Sequence, residues 1–139
     1  MRDLGEHFVH VESFDVVYSS YALHHLTLDE KTSVVRAAVS LLRPGGWFVN
    51  ADIIAADTPA VEKRIQEIRV NGIVERARGA DPRFADYEAT RRFLDELEAN
   101  EGDQPLTLKD DLQVLREAGL GDVAVFWLEY REAVTGGRK

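Results

Sequence analysis

Four short apolar runs, set apart by longer stretches with helical periodicity, organise the chain. The first, FDVVYS at 14–19, is β-branched and aromatic between polar residues, the pattern of a strand buried on both faces of a parallel sheet. Thr27 and Glu30 then form a capping-box signature, and Val34, Val35, Ala38, Leu41 and Leu42 recur at helical spacing behind it. Pro44, Gly45 and Gly46 stop that helix, and WFVNADII at 47–54 is the second strand. Strand, helix, strand with a tight turn predicts a right-handed parallel crossover.

Beyond residue 54 the period changes to that of helices. Thr58 and Pro59 start one, with Val61, Ile65, Ile68 and Ile73 as its apolar stripe, and the GADP segment at 79–82 breaks it. A second amphipathic helix carries Tyr87, Thr90, Leu94 and Leu97 on one side, and 100–105 is the most loop-like stretch. Thr107 caps a last helix whose core-facing residues are Leu108, Leu112, Leu115 and Ala118, ended by Gly119 and Gly121. Runs at 123–130 and 132–136 read as two strands, and the few residues between them suit antiparallel neighbours.

Composition narrows the function classes. The 139 residues suffice for one domain core, and 45% hydrophobic with 30% charged residues is a globular balance. There is no cysteine, which excludes disulfides, thiolate nucleophiles and cysteine-held zinc, and suits a cytoplasmic protein. A formal charge of −8 argues against nucleic-acid or anionic-membrane partners, and no apolar run approaches the ~20 residues of a membrane span. The arginines between 64 and 92 alternate with acids and read as a solvated helical face.

The order of these elements, the LRPGG turn at 42–46 and the SSYALHHL loop at 19–26 resemble the second half of class I S-adenosylmethionine-dependent methyltransferases of the small-molecule type. In that family the sheet order is 3-2-1-4-5-7-6 with strand 7 antiparallel. The resemblance implies an α/β, partial Rossmann-like methyltransferase fold: a four-stranded sheet resembling 4-5-7-6, last strand antiparallel, in one truncated domain over 1–139. Residues 58–104 then form a helical insertion where small-molecule members place substrate-covering elements. Another doubly wound enzyme, such as a nucleotide-dependent oxidoreductase, fits the Pro-Gly-Gly turn and the antiparallel final pair less well.

By the same resemblance, Ser19, Ser20 and Tyr21 border the methionine part of S-adenosylmethionine, at the carboxyl end of the first strand where open α/β sheets bind ligands. His24, His25, Asn50, Asp52 and Tyr87 are substrate-side candidates, and Phe84 and Phe93 join Tyr87 as candidate walls of an apolar pocket. Imidazoles ligate metals, yet adjacent histidines do not readily converge on one ion, and no neighbouring Cys, Asp or Glu spacing completes a metal motif. The expectation is therefore no metal, with the histidines packing against the next helix. Asp15 is read as pairing with backbone or solvent at the sheet margin.

The resemblance also implies an incomplete cofactor site. The family's glycine-rich loop and strand-2 acid have no counterpart, and the opening MRDL is similar to a segment just after strand 3. The expectation is a truncated methyltransferase whose isolated chain binds cofactor weakly or not at all, or alternatively a non-catalytic dimerisation or partner module. With strand 1 missing, the 14–19 strand becomes a free edge that invites self-association, most simply as a twofold homodimer.

Overall fold

Thr27 fixes where the first long helix begins. In the computed structural model, which describes residues 14–139, its side chain accepts from the Glu30 N–H while the Glu30 carboxylate takes the Thr27 N–H, a complete capping box. Helix α1 (Leu28–Leu41) follows strand β1 (Phe14–Ser20) and leads into β2 (Leu42–Ile53). Then come α2 (Pro59–Ala77), α3 (Tyr87–Glu101), α4 (Leu108–Glu117), β3 (Gly121–Glu129) and β4 (Glu132–Arg138). Short 3₁₀ turns occupy Leu23–His25 and Pro82–Phe84.

The four strands form one sheet in the order β1-β2-β4-β3. β1 and β2 are parallel, and β4 lies antiparallel to both β2 and β3. This is the expected partial Rossmann-like order, with the last strand reversed. Leu23, Val35, Val39, Leu42, Phe48, Val114, Leu115 and Leu120 form the core between the sheet and α1 and α4. Within it Lys31 of α1 ion-pairs Asp111 of α4 at 2.5 Å, and the Thr135 hydroxyl of β4 donates to the other Asp111 oxygen.

Several expectations need correction. The 14–19 strand is not buried on both faces: Phe14, Val16 and Tyr18, alternate residues that share one face, are 45, 50 and 78% exposed, and β1 is also an edge strand among the described residues. Pro44 and the glycines do not separate helix from strand. Leu42 already pairs with Phe14, and residues 43–46 bulge out of β2 before Trp47 rejoins opposite Val16. Gly45 turns there at φ +80°, and a side chain on Gly46 would meet the Phe14 and Asp15 carbonyls at 3.1 Å. Asp15 pairs not with backbone but with Arg43 of that bulge, in an exposed contact. Gly121 opens β3 rather than closing α4, and α3 runs to Glu101, into the expected loop. Val34, Val61 and Leu97 of the expected stripes are exposed. The MRDL segment lies outside the described residues. Among those described, no helix is long and apolar enough to cross a membrane.

Candidate functional site

β1 and β2 point the same way, so their carboxyl ends share one rim of the sheet. At that rim β1 ends in a sharp turn: Tyr21 adopts φ +46°, a left-handed conformation uncommon for an aromatic residue, and its N–H donates to the Ala51 carbonyl at 2.9 Å. The next turn, Leu23–His25, is held by Asp52 of β2. One Asp52 oxygen accepts the Leu23 and His24 N–H groups at 3.0 and 3.1 Å. The other contacts the His24 ring Nδ1 at 2.5 Å and accepts the Ile53 N–H at 3.0 Å.

Above this rim lies a cavity of about 750 Å³, walled by the strand ends below and by α2 and α3 above. Tyr21, His24, His25 and Ile53 line its floor, with Arg69, Arg76, Glu98, Glu101 and Asp103 from the helical side. Half of the lining residues are Arg, Glu or Asp, so the space is polar rather than the apolar pocket expected. Arg131, buried at the start of the β3–β4 turn's return, ties the cover to the sheet. Its guanidinium reaches Glu98 of α3 at 3.2 Å and Glu62 of α2 at 3.6 Å, and Glu98 also takes Arg69 at 2.8 Å.

The electrostatics follow from this crowding. The Tyr21 phenol is raised above its ordinary value by burial and by the Glu132 carboxylate, as charge and as hydrogen-bond acceptor, so it stays a proton donor at neutral pH. For Glu62, burial pulls upward, but bonds from the Gln66 side chain and the Ala56 N–H, with Arg131 and Arg69 nearby, outweigh it and hold the carboxyl below its usual range.

His24 is buried and His25 partly exposed, and both face Asp103. His24 Nε2 and His25 Nδ1 stand 3.5 and 3.2 Å from Asp103 Oδ1. The adjacent histidines thus do converge with an acid. The acid comes from beyond α3, where no local spacing could signal it.

The rim therefore brings together Tyr21, His24, His25 and Asp52. Ser19 and Ser20 sit in β1 opposite Asn50 and Ala51, outside the cavity lining. Asn50 is sealed between β1 and β4, opposite Ser19 and Thr135, and its Oδ1 has no hydrogen-bond partner among the described residues. Tyr87 starts α3 away from the lining. Phe84 and Phe93 pack edge-to-face at 5.4 Å under the Arg83 guanidinium instead of walling the cavity. Asp103 and Arg131 were missed by sequence reasoning because each acts through partners remote in the chain.

Residues 3–50 match the methyltransferase domain family. An uncharacterised methyltransferase of Bacillus cereus is 42% identical over 65 residues, 47% of this chain and 31% of that protein. Over its first half the chain is thus similar to methyltransferase domains.

The solved structures agree on the fold. One described as a possible exported protein from Bordetella parapertussis superposes with TM-score 0.68 at 18% identity, over 96% of this chain and 41% of that one. PigF with SAH superposes with TM-score 0.57 at 14% identity, over 90% of this chain and 30% of that one. The match thus spans about a third of the length of the curated methyltransferase relative. In the 4-5-7-6 order β1 and β2 take the places of strands 4 and 5, so Tyr21 and Ala22 follow strand 4 and Asp52 lies one residue before the end of strand 5.

Proposed function

We propose that this chain is part of an S-adenosylmethionine-dependent methyltransferase acting on a small molecule, with transfer governed by proximity and in-line alignment of the acceptor. The observation that carries this reading is the 750 Å³ cavity at the carboxyl ends of β1 and β2, roofed by α2 and α3. That is where open α/β sheets bind ligands, and the volume suits a small one. On this reading 58–104 is the substrate-covering insertion within one domain, and the methionine end of the cofactor lies against Ser19, Ser20 and Tyr21. The binding of SAH by PigF supports the same cofactor here.

The isolated 139-residue chain is expected to bind the cofactor weakly or not at all, since its sequence holds no glycine-rich turn to approach the ribose and methionine. Calorimetric titration with S-adenosylhomocysteine tests this, and micromolar affinity would overturn it. At millimolar ligand, amide shift changes should centre on Ser19–Ala22; changes confined elsewhere would remove the proposed cofactor position.

A second proposal concerns self-association. Phe14, Val16 and Tyr18 expose apolar surface on β1, an edge strand among the described residues. A second copy pairing along β1 as a twofold dimer covers this surface. Light scattering should give a dimer that Val16→Lys converts to monomer, whereas a stable wild-type monomer at high concentration removes the idea.

A further inference from the structure

The cavity floor holds a donor set that methyl transfer as proposed does not use. His24, His25 and Asp103 each offer one ligand atom, and these atoms all lie within 4.8 Å of one another; His24 Nε2 and His25 Nδ1 are the nitrogens nearest Asp103 Oδ1. Two of the three separations, 3.5 and 3.2 Å, bracket the roughly 3.3 Å edge of a tetrahedron with metal–ligand bonds of about 2.0–2.1 Å. We propose that His24, His25 and Asp103 form a binding site for a divalent zinc-class ion, with its fourth position open to the cavity.

Two independent observations point to a ligand rather than to a simple ion pair. The Asp103 side chain is only 9% exposed, and its Oδ1, facing both rings, has no hydrogen-bond partner among the described residues. A buried carboxylate oxygen left this way is costly unless something occupies the space before it. Secondly, His24 already has the outer contact of a metal-bound imidazole. Its Nδ1 meets the Asp52 carboxylate at 2.5 Å, which fixes the ring and leaves Nε2 as the free donor.

The backbone also holds the two halves of the site together before any ion arrives. Gly102 turns the chain out of α3 at φ +69°, and Gln104 then fastens the segment to the histidine turn. Its N–H donates to the His24 carbonyl at 2.7 Å, and its side-chain amide to the His25 carbonyl at 3.2 Å. Asp103 is thus set opposite both rings by its immediate neighbour. Three protein donors with an open fourth position is the layout of zinc sites that hold water or a ligand rather than serve folding alone. This assignment does not depend on the methyltransferase reading.

The test is calorimetric titration of the tag-free, chelator-treated chain with Zn²⁺ alone, with Co²⁺ absorption as a report on four-coordinate geometry. One equivalent is expected to bind at about 1 µM or tighter. His25→Ala and Asp103→Asn should each weaken binding at least tenfold, by about the effect of losing a ligand or its support. His25 is 38% exposed on its side chain, so its replacement leaves the fold intact by circular dichroism. The double variant His7→Gln/His10→Gln should bind like wild type. Absence of binding at 100 µM, or binding that His25→Ala leaves within a factor of two, overturns the proposal. So does binding abolished by the His7/His10 variant.

Discussion

Replacing Asp111 by leucine should cost this protein a large share of its stability, and replacing its partner as well should return most of it. Lys31 and Asp111 side chains are 3% and 4% exposed, with Nζ and Oδ1 2.5 Å apart. At an effective dielectric of about 20, attraction across 2.5 Å is worth roughly 6–7 kcal/mol before either group's desolvation is charged against it. Removing one partner leaves the other buried and uncompensated, a loss of roughly 3–5 kcal/mol from a total of about 5–15. The two single variants should differ. With Lys31→Met, Asp111 keeps the Thr135 hydroxyl and a place in the first turn of α4, where the helix dipole favours an acid. With Asp111→Leu, the buried ammonium keeps nothing comparable, so this variant should be the less stable. In the double variant Lys31→Met/Asp111→Leu both charges are gone; Met matches Lys in size but Leu exceeds Asp, so it should lie within about 1–3 kcal/mol of wild type, Thr135 being its main orphan. Urea unfolding followed by circular dichroism at neutral pH measures all four corners of the cycle. Additive losses, or single losses under 1 kcal/mol, would refute the view that this pair joins α1 to α4 through the core.

Three further outcomes follow from the same geometry. Glu62→Gln should flatten the acid side of the stability curve. The folded-state carboxyl titrates below the ordinary 4.5, so wild type holds this contribution above that pH and loses it as pH falls through the lower folded value. Urea midpoints between pH 3 and 6 check it, and an unchanged slope contradicts the Gln66 and Ala56 bonds and the nearby Arg131 that together hold the carboxyl low. Gly136→Ala should destabilise by roughly 1–3 kcal/mol or more, since its Cβ would fall 2.4 Å from the Phe48 carbonyl oxygen and 2.9 Å from the Phe126 ring. A midpoint equal to wild type would mean β2 and β4 lie farther apart than described. Asp52→Asn should reduce Zn²⁺ affinity at least tenfold while costing only about 1–3 kcal/mol of fold; calorimetry and urea unfolding separate the two.

How much of this was legible depended on whether the forces are local. The capping box at Thr27, the cap and proline at Thr58 and Pro59, and the strand–helix–strand order around the Pro-Gly-Gly segment are encoded within a few residues, and all appear in the structure. The strand order followed from recognising the family rather than from periodicity. β1's exposure was misjudged because its apolar run describes a strand covered on both faces, whereas the face that carries Phe14, Val16 and Tyr18 is open among the described residues. The buried Lys31–Asp111 pair was invisible: each residue, read singly, is a solvated helix position. Asp103 looked like one more acid in a loop, since only folding carries the end of α3 back to the histidine turn.

Asp52 connects the two readings of the rim, and its chemistry lets them be told apart. One of its oxygens accepts two backbone N–H groups, so an asparagine there must turn its own oxygen toward them; the amide nitrogen would otherwise oppose two donors. The Asn Nδ2 then faces His24 Nδ1 and donates to it. His24 must become the Nε2–H tautomer, and the nitrogen aimed at Asp103 no longer has a lone pair for a metal. The Leu23 and His24 amides stay satisfied, and the turn that carries Tyr21 onto the cavity floor stays in place, with only the Ile53 N–H losing its acceptor. A carboxylate that merely braced the turn would be nearly replaceable by its amide. One that sets an imidazole's tautomer is not, and the ratio of lost zinc affinity to lost stability distinguishes the two roles.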